Sequence, residues 1–185
     1  MKTLSYLIVL AVILIAGCAK DETLFENPDN LELKKAKVPI PMKIDCRAVP
    51  DTESELIPLN IPGQDVIYIY SKLIVSGTGT HLGKIDAEKS FYEIKNSEFF
   101  INDDGVPNVR NSGDGKVVGA NGDGFEFTWW IQESLVDYTF IGEMEITPET
   151  GTGKFEGYSG SCNIVGMEPE AGLILFNLEG YLVYE

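Results

Sequence analysis

The feature that most limits how this chain can fold is an alternation that begins near residue 38. Val38, Ile40, Met42, Ile44, Cys46 and Ala48 alternate with Lys37, Pro39, Pro41, Lys43, Asp45 and Arg47. Apolar residues at every second position put one face of an extended strand in a core and the other in water; a helix would wind them round its whole surface. Pro39 and Pro41 share parity, so the N–H groups they lack lie along one edge. That edge must be unpaired where the strand begins.

The same signal recurs down the chain. Residues 66–76 read as one strand, with Ile67, Ile69, Leu73 and Val75 on one face and Tyr68, Tyr70 and Lys72 on the other. Residues 51–65, with Pro58, Pro62 and Gly63, read as a loop. A short strand is expected at 90–95, and 97–101 continues or bends it before the turn Asn102-Asp103-Asp104-Gly105; 106–114 reads as a loop. Residues 116–120 and 125–131 form a hairpin across Asn121-Gly122-Asp123-Gly124, with Phe125, Phe127, Trp129 and Ile131 on one face. Tyr138, Phe140, Met144 and Ile146 share a face in the next strand, where Gly142 marks a bend, and further strands are expected at 162–165 and 173–184. No segment carries a helical period of useful length. The expected fold is all-β: a single antiparallel closed barrel of about eight strands over residues 36–185.

Ahead of this domain, Met1-Lys2 supplies a positive start, and residues 4–15 are apolar apart from Ser5 and Tyr6. An apolar core of about a dozen residues suits a secretory leader and falls short of the roughly 20 needed to span a bilayer. Leu14-Ile15-Ala16-Gly17-Cys18 ends it and resembles the bacterial lipobox, whose cysteine is acylated and becomes the first residue of the mature chain. Residues 1–17 are therefore expected to be a lipoprotein signal peptide and Cys18 the lipidation site. Each buried methylene adds about 0.8 kcal/mol of membrane affinity, so several acyl chains make a stable anchor. Lys20, Asp21 and Glu22 follow at once and look like the export tag of surface lipoproteins in the Bacteroidota. They favour an outer-membrane lipoprotein displayed on the cell surface over one facing the periplasm. Residues 18–35, polar and without an apolar period, read as the lipidated cysteine and a flexible tether.

A formal net charge of −15 argues against a nucleic-acid partner, whose phosphates need Lys and Arg to neutralise them. With Cys18 spent on lipid, Cys46 and Cys162 remain. An oxidising compartment favours a disulfide between them, and two buried small hydrophobes are the other reading.

Three glycine-rich stretches occur in order: Gly77-Thr78-Gly79-Thr80-His81-Leu82-Gly83-Lys84, Ala120-Asn121-Gly122-Asp123, and Gly151-Thr152-Gly153-Lys154-Phe155-Glu156-Gly157-Tyr158-Ser159-Gly160-Ser161. Together they resemble motifs of the allene oxide cyclase-like and dirigent-like barrel superfamily. The resemblance covers about residues 66–185 and implies an eight-stranded antiparallel barrel of the calycin type with a central cavity. The matching residues are mostly glycines, which shape backbone, so the resemblance carries no catalytic residue onto this chain.

Other chemistry is weakly encoded. Gly77-x-Gly79-x-x-x-Gly83 departs from the dinucleotide fingerprint by one residue in its second gap and sits in no βαβ unit; it reads as a strand corner. His81 is the single histidine, so a histidine-based zinc site lacks partners, and neither metal nor cofactor is expected. Ser159 lacks the last glycine of a nucleophile elbow and the helix after it. Asp103, Asp104, Asp114 and Asp123 lie in glycine-containing turns, a calcium-like composition that ordinary turn chemistry also explains. Glu143 and Glu145 share a polar strand face.

The best material for a ligand cavity is Tyr68, Tyr70, His81, Tyr92, Phe125, Phe127, Trp129, Tyr138 and Phe140. An eight-stranded barrel is either filled by its own side chains or holds one small ligand, and both stand open at this point. The expected function is non-catalytic binding of a small apolar or amphipathic ligand, or of a partner, at the cell envelope. The alternatives are a cyclase- or isomerase-type enzyme, which needs a buried titratable group in the cavity, and a structural interaction module of a surface complex.

Overall fold

The structure is a computed structural model and describes residues 38–184. The expected signal peptide, the expected lipidation site Cys18, the expected export tag Lys20-Asp21-Glu22 and the expected tether lie outside the described residues.

The described residues form β1 (Ile40–Pro50), β2 (Leu56–Leu59), β3 (Ile67–Tyr70), β4 (Lys72–Gly79), β5 (Gly83–Lys84), β6 (Phe91–Ile101), β7 (Pro107–Val118), β8 (Gly124–Ser134), β9 (Thr139–Ile146), β10 (Tyr158–Glu170) and β11 (Leu173–Tyr184), with a 3-10 turn at Gly153–Phe155. Eight of them pair in an antiparallel ring, in the order β1-β11-β10-β9-β8-β7-β6-β4, and β4 returns to β1. The β1–β4 seam is long, running from Ile44↔Gly79 to Pro50↔Leu73. The β4–β6 seam is short and joins only Lys72↔Glu93, Leu73↔Tyr92 and Ile74↔Phe91. β2 and β3 form a separate hairpin sheet.

β1 behaves as its alternation requires: Met42, Ile44, Cys46 and Ala48 are buried and the residues between them are exposed as far as Arg47. It pairs with β11 from Ile40 onward but with β4 only from Ile44, which leaves an edge open at the proline end.

Elsewhere pairing overrides local appearance. Of residues 106–114, expected as a loop, all but Val106 belong to the first part of β7. Asn108, Asn111, Ser112 and Gly113 are poor strand formers, but β7 is held by ladders to β6 on one side and β8 on the other. The expected loop 51–65 contains β2, which pairs with β3. The single strand expected at 66–76 is two strands broken at Ser71. There the backbone turns aside: Ser71 N donates to Glu55 O at 2.7 Å, and Ser71 O accepts from Ile94 N at 2.7 Å. The strand expected at 162–165 is longer and includes a register shift between Met167 and Glu170.

The favoured disulfide is absent, because Cys46 and Cys162 are both free and buried. They flank β11 on opposite sides, Cys46 opposite Phe176 and Cys162 opposite Gly180. That offset is roughly 13 Å of strand at about 3.4 Å per residue, far beyond the ~7 Å limit between bridged Cα atoms.

One end of the ring is plugged. Phe125, Phe127, Leu82 and Ile146 are buried there, and the 3-10 turn inserts Phe155, whose ring meets Phe125 edge-on at 5.2 Å. The three glycine-rich stretches converge on this end. Ala120 N donates to Lys84 O at 2.8 Å, Ile85 bridges to Gly119, Thr152 bridges to Gly124, and Lys154 Nζ lies 3.8 Å from Asp123 Oδ2. Buried Ser90 ties the layer together, its Oγ accepting from Val118 N at 2.9 Å.

Candidate functional site

The opposite end of the ring is hollow. A cavity of about 340 Å³ lies between the end of β1, the start of β4 and the neighbouring stretches of β6 to β11. Ala48 on β1 is a small residue of its wall, and Gly166 on β10 sets how closely two of its aromatics pack. A Cβ on Gly166 would stand 2.4 Å from Phe140 Cζ and 2.6 Å from Phe176 Cβ, so its absence lets both aromatics close in on the β10 wall. The short β4–β6 seam lies at this level, its Leu73↔Tyr92 pair lining the cavity, and the β2–β3 hairpin brings Tyr68, Ile69 and Tyr70 to line the mouth.

Aromatic contacts separate the cavity from the plug. The Tyr92 ring packs against Phe127 at 4.7 Å, Trp129 at 5.3 Å and Phe176 at 5.5 Å, the last two edge-on. Such geometry fixes the rings beyond what burial alone achieves. Trp129 Nε1 donates to Asp114 O at 3.0 Å, so the indole is satisfied and offers the cavity only its apolar surface. Burial above all, and then the nearby thiols of Cys46 and Cys162, hold the Tyr92 hydroxyl well above its ordinary pKa. The thiols are inert: burial first, and for Cys46 also the Asp45 carboxylate, pushes each up to about 12.

Three polar side chains break the apolar wall. Asn111, on β7, is 7% exposed, and its Oδ1 is buried without a hydrogen-bond partner. Leaving such an acceptor unpaired costs about 1–3 kcal/mol. Glu133 near the end of β8 and Glu168 on β10 also line the cavity. Burial first, and then the charge of Glu168, pushes the Glu133 carboxyl up to about 7. Glu168 is held in place by its Oε1, which accepts from Gly172 N at 2.7 Å.

Of the residues expected from sequence, Tyr68, Tyr70, Tyr92, Trp129 and Phe140 line this cavity. Phe125 and Phe127 share the inward face of β8 with Trp129 but fill the plugged end. His81 is exposed at that same end, its Nε2 3.3 Å from Pro41 O. Tyr138 is exposed in the β8–β9 turn at φ 56°.

Asn111, Glu133, Glu168 and Phe176 were not anticipated as cavity residues. Glu133 had a legible signal: it continues the parity of Phe125, Phe127, Trp129 and Ile131, which puts a carboxylate on the inward face. Glu168 likewise continues Cys162, Ile164 and Gly166. Asn111 had none, because its segment does not read as a strand.

Of the four aspartates expected in turns, Asp103 and Asp104 lie in the β6–β7 turn and Asp114 stands inside β7. Asp114 pairs with Lys95, and Asp123 Oδ2 accepts from Asn121 Nδ2 at 2.6 Å. Among the described residues no group of three His, Cys, Asp or Glu side chains gathers where it would hold a metal ion. Glu143 and Glu145 lie exposed on the outer face of β9. Comparison of the chain with protein-family models, with curated proteins and with solved structures gives no match in any of the three.

Proposed function

We propose that this protein is a lipid-anchored cell-envelope β-barrel of the calycin type whose hollow end binds one small apolar or amphipathic molecule without transforming it. The observation that carries the binding reading is the cavity of about 340 Å³, aromatic in its lining and with one buried acceptor unpaired. Its size falls in the range of about 300–1,000 Å³ usual for small-molecule sites. The eight-strand ring, and the meeting of three glycine-rich stretches at one end of it, support the likeness to the allene oxide cyclase-like barrels. β1 enters the ring at the plugged end, so the mouth opens at the end remote from the chain's entry.

Native mass spectrometry of the protein released from its own membranes tests the binding. The expected result is one added small molecule per chain, lost when Ile131→Trp fills the cavity. A protein that carries nothing and takes up no apolar compound would overturn the reading. Location rests on Leu14-Ile15-Ala16-Gly17-Cys18 and on Lys20-Asp21-Glu22. A fatty-acid analogue should label the wild type and not Cys18→Ala. Alanines at positions 20–22 should turn a protease-accessible protein on intact cells into a protected one.

One observation favours a second reading, an isomerase- or cyclase-type enzyme: the Glu133 carboxyl, held up to about 7 inside an apolar cavity, suits proton transfer near neutral pH. Incubating the recovered ligand with fresh protein separates the two. A binder returns it unchanged; an enzyme converts it, and Glu133→Gln stops the conversion.

A further inference from the structure

We infer that the molecule taken by this cavity is an organic cation, an apolar body carrying a protonated amine whose N–H groups are directed at Asn111 Oδ1 and the carboxylates of Glu133 and Glu168. The inference rests on the ligand-binding reading and adds to it the charge and donor pattern of the ligand.

The free polar groups of the cavity ask for donors and for positive charge. Asn111 is 7% exposed and its Oδ1 accepts no hydrogen bond from the protein, so a ligand that meets it brings an N–H or O–H. Two carboxylates, Glu133 and Glu168, line the cavity, and among the described residues no lysine, arginine or histidine lines it with them. A neutral alcohol would satisfy Asn111 but leave the carboxylates facing each other, and a carboxylic acid would add a third negative charge. An ammonium has three donors and the compensating charge, so it meets all three residues at once.

The rest of the wall suits such a ligand. Tyr92, Trp129, Phe140 and Phe176 present aromatic surface, which attracts a cation through the ring quadrupole as well as packing against the apolar body. Burial and Glu168 both penalise the Glu133 carboxylate, a charge that a bound cation would stabilise. At about 30 Å³ per water, the volume of about 340 Å³ holds roughly eleven water-sized groups, the scale of a small arylalkyl amine. A net charge of −15 draws cations toward the protein.

The test is calorimetric titration of the full-length protein in phosphatidylcholine nanodiscs, with empty nanodiscs as the blank. The probes are 3-phenylpropylamine, its isostere 3-phenylpropan-1-ol, and the acid of the same carbon skeleton, 3-phenylpropanoate. The amine is expected to bind about tenfold or more tighter than the alcohol, and the acid most weakly. Glu133→Gln and Glu168→Gln should each weaken the amine about tenfold and leave the alcohol unchanged, whereas Asn111→Leu should weaken both. If the alcohol binds as tightly as the amine, or neither glutamate variant affects the amine, the cation inference falls and the binding reading stands. If none of the three probes binds, the binding reading falls with it.

Discussion

The ring of Phe127 lies over Gly115, its partner across the β7–β8 ladder: a Cβ on Gly115 would stand 2.3 Å from Phe127 Cζ and 2.8 Å from the Phe91 carbonyl oxygen. The glycine is there to be covered. With Phe127 buried on all sides and backbone behind, neither neighbour has room to retreat. Gly115→Ala should therefore destabilise the fold by about 1–3 kcal/mol through overpacking, read from the urea midpoint. A shift below about 0.5 kcal/mol would mean the plugged end yields more easily than its packing implies.

Glu133 should make stability depend on pH in the unusual direction. Its carboxyl sits at about 7 in the folded protein against an ordinary 4.5, so the native state holds the proton more tightly than the unfolded chain. Its contribution is then most favourable below about 4.5 and is lost as pH rises through about 7. Glu168 faces it from β10 and keeps its own carboxylate in the variant. Glu133→Gln should exceed wild type in stability by on the order of 2 kcal/mol at pH 8, with the gap closing near pH 4.5. Urea melts at several pH values read this directly, and a gap that stays constant with pH would show that the carboxylate is not desolvated.

Cys46 and Cys162 should be invisible to thiol reagents until the protein unfolds. Both are buried and held near 12, where almost no thiolate exists at pH 8. Iodoacetamide followed by peptide mapping should find both unmodified in the native protein and both modified in urea. A peptide linked through Cys46 and Cys162 would contradict the strand register itself.

The two ends should fail separately. Phe155 is the side chain that the 3-10 turn drives into the plug, and Phe155→Ala should cost about 3–5 kcal/mol. Trp129 lies on the cavity side, so the tryptophan emission of the still-folded variant should match wild type. A red-shifted native emission would show that the plug also supports the cavity wall.

How much of the site was legible follows from what a strand's sequence encodes. The alternation in β8 correctly put Phe125, Phe127 and Trp129 on one face, but their level along the ring was hidden; two of them plug one end and one lines the other. The end of β7 was legible in the hairpin expected at 116–120, but its first part was hidden, since Asn108, Asn111, Ser112 and Gly113 owe their extended form to two flanking ladders. The unpaired amide of Asn111 was hidden with it.

By itself the sequence determined the all-β class, the inward face of β1, the open edge beside its prolines and the turns that carry its glycines. These are local properties, set by side-chain parity and backbone preference within a few residues. Only the tertiary structure decided that β4 closes back on β1, that Cys46 and Cys162 stay apart, and that one end is plugged while the other is hollow. Those outcomes depend on register between strands distant in the chain, where a glycine opposite a phenylalanine or a carboxylate beside another acquires its meaning from a partner the local sequence does not name.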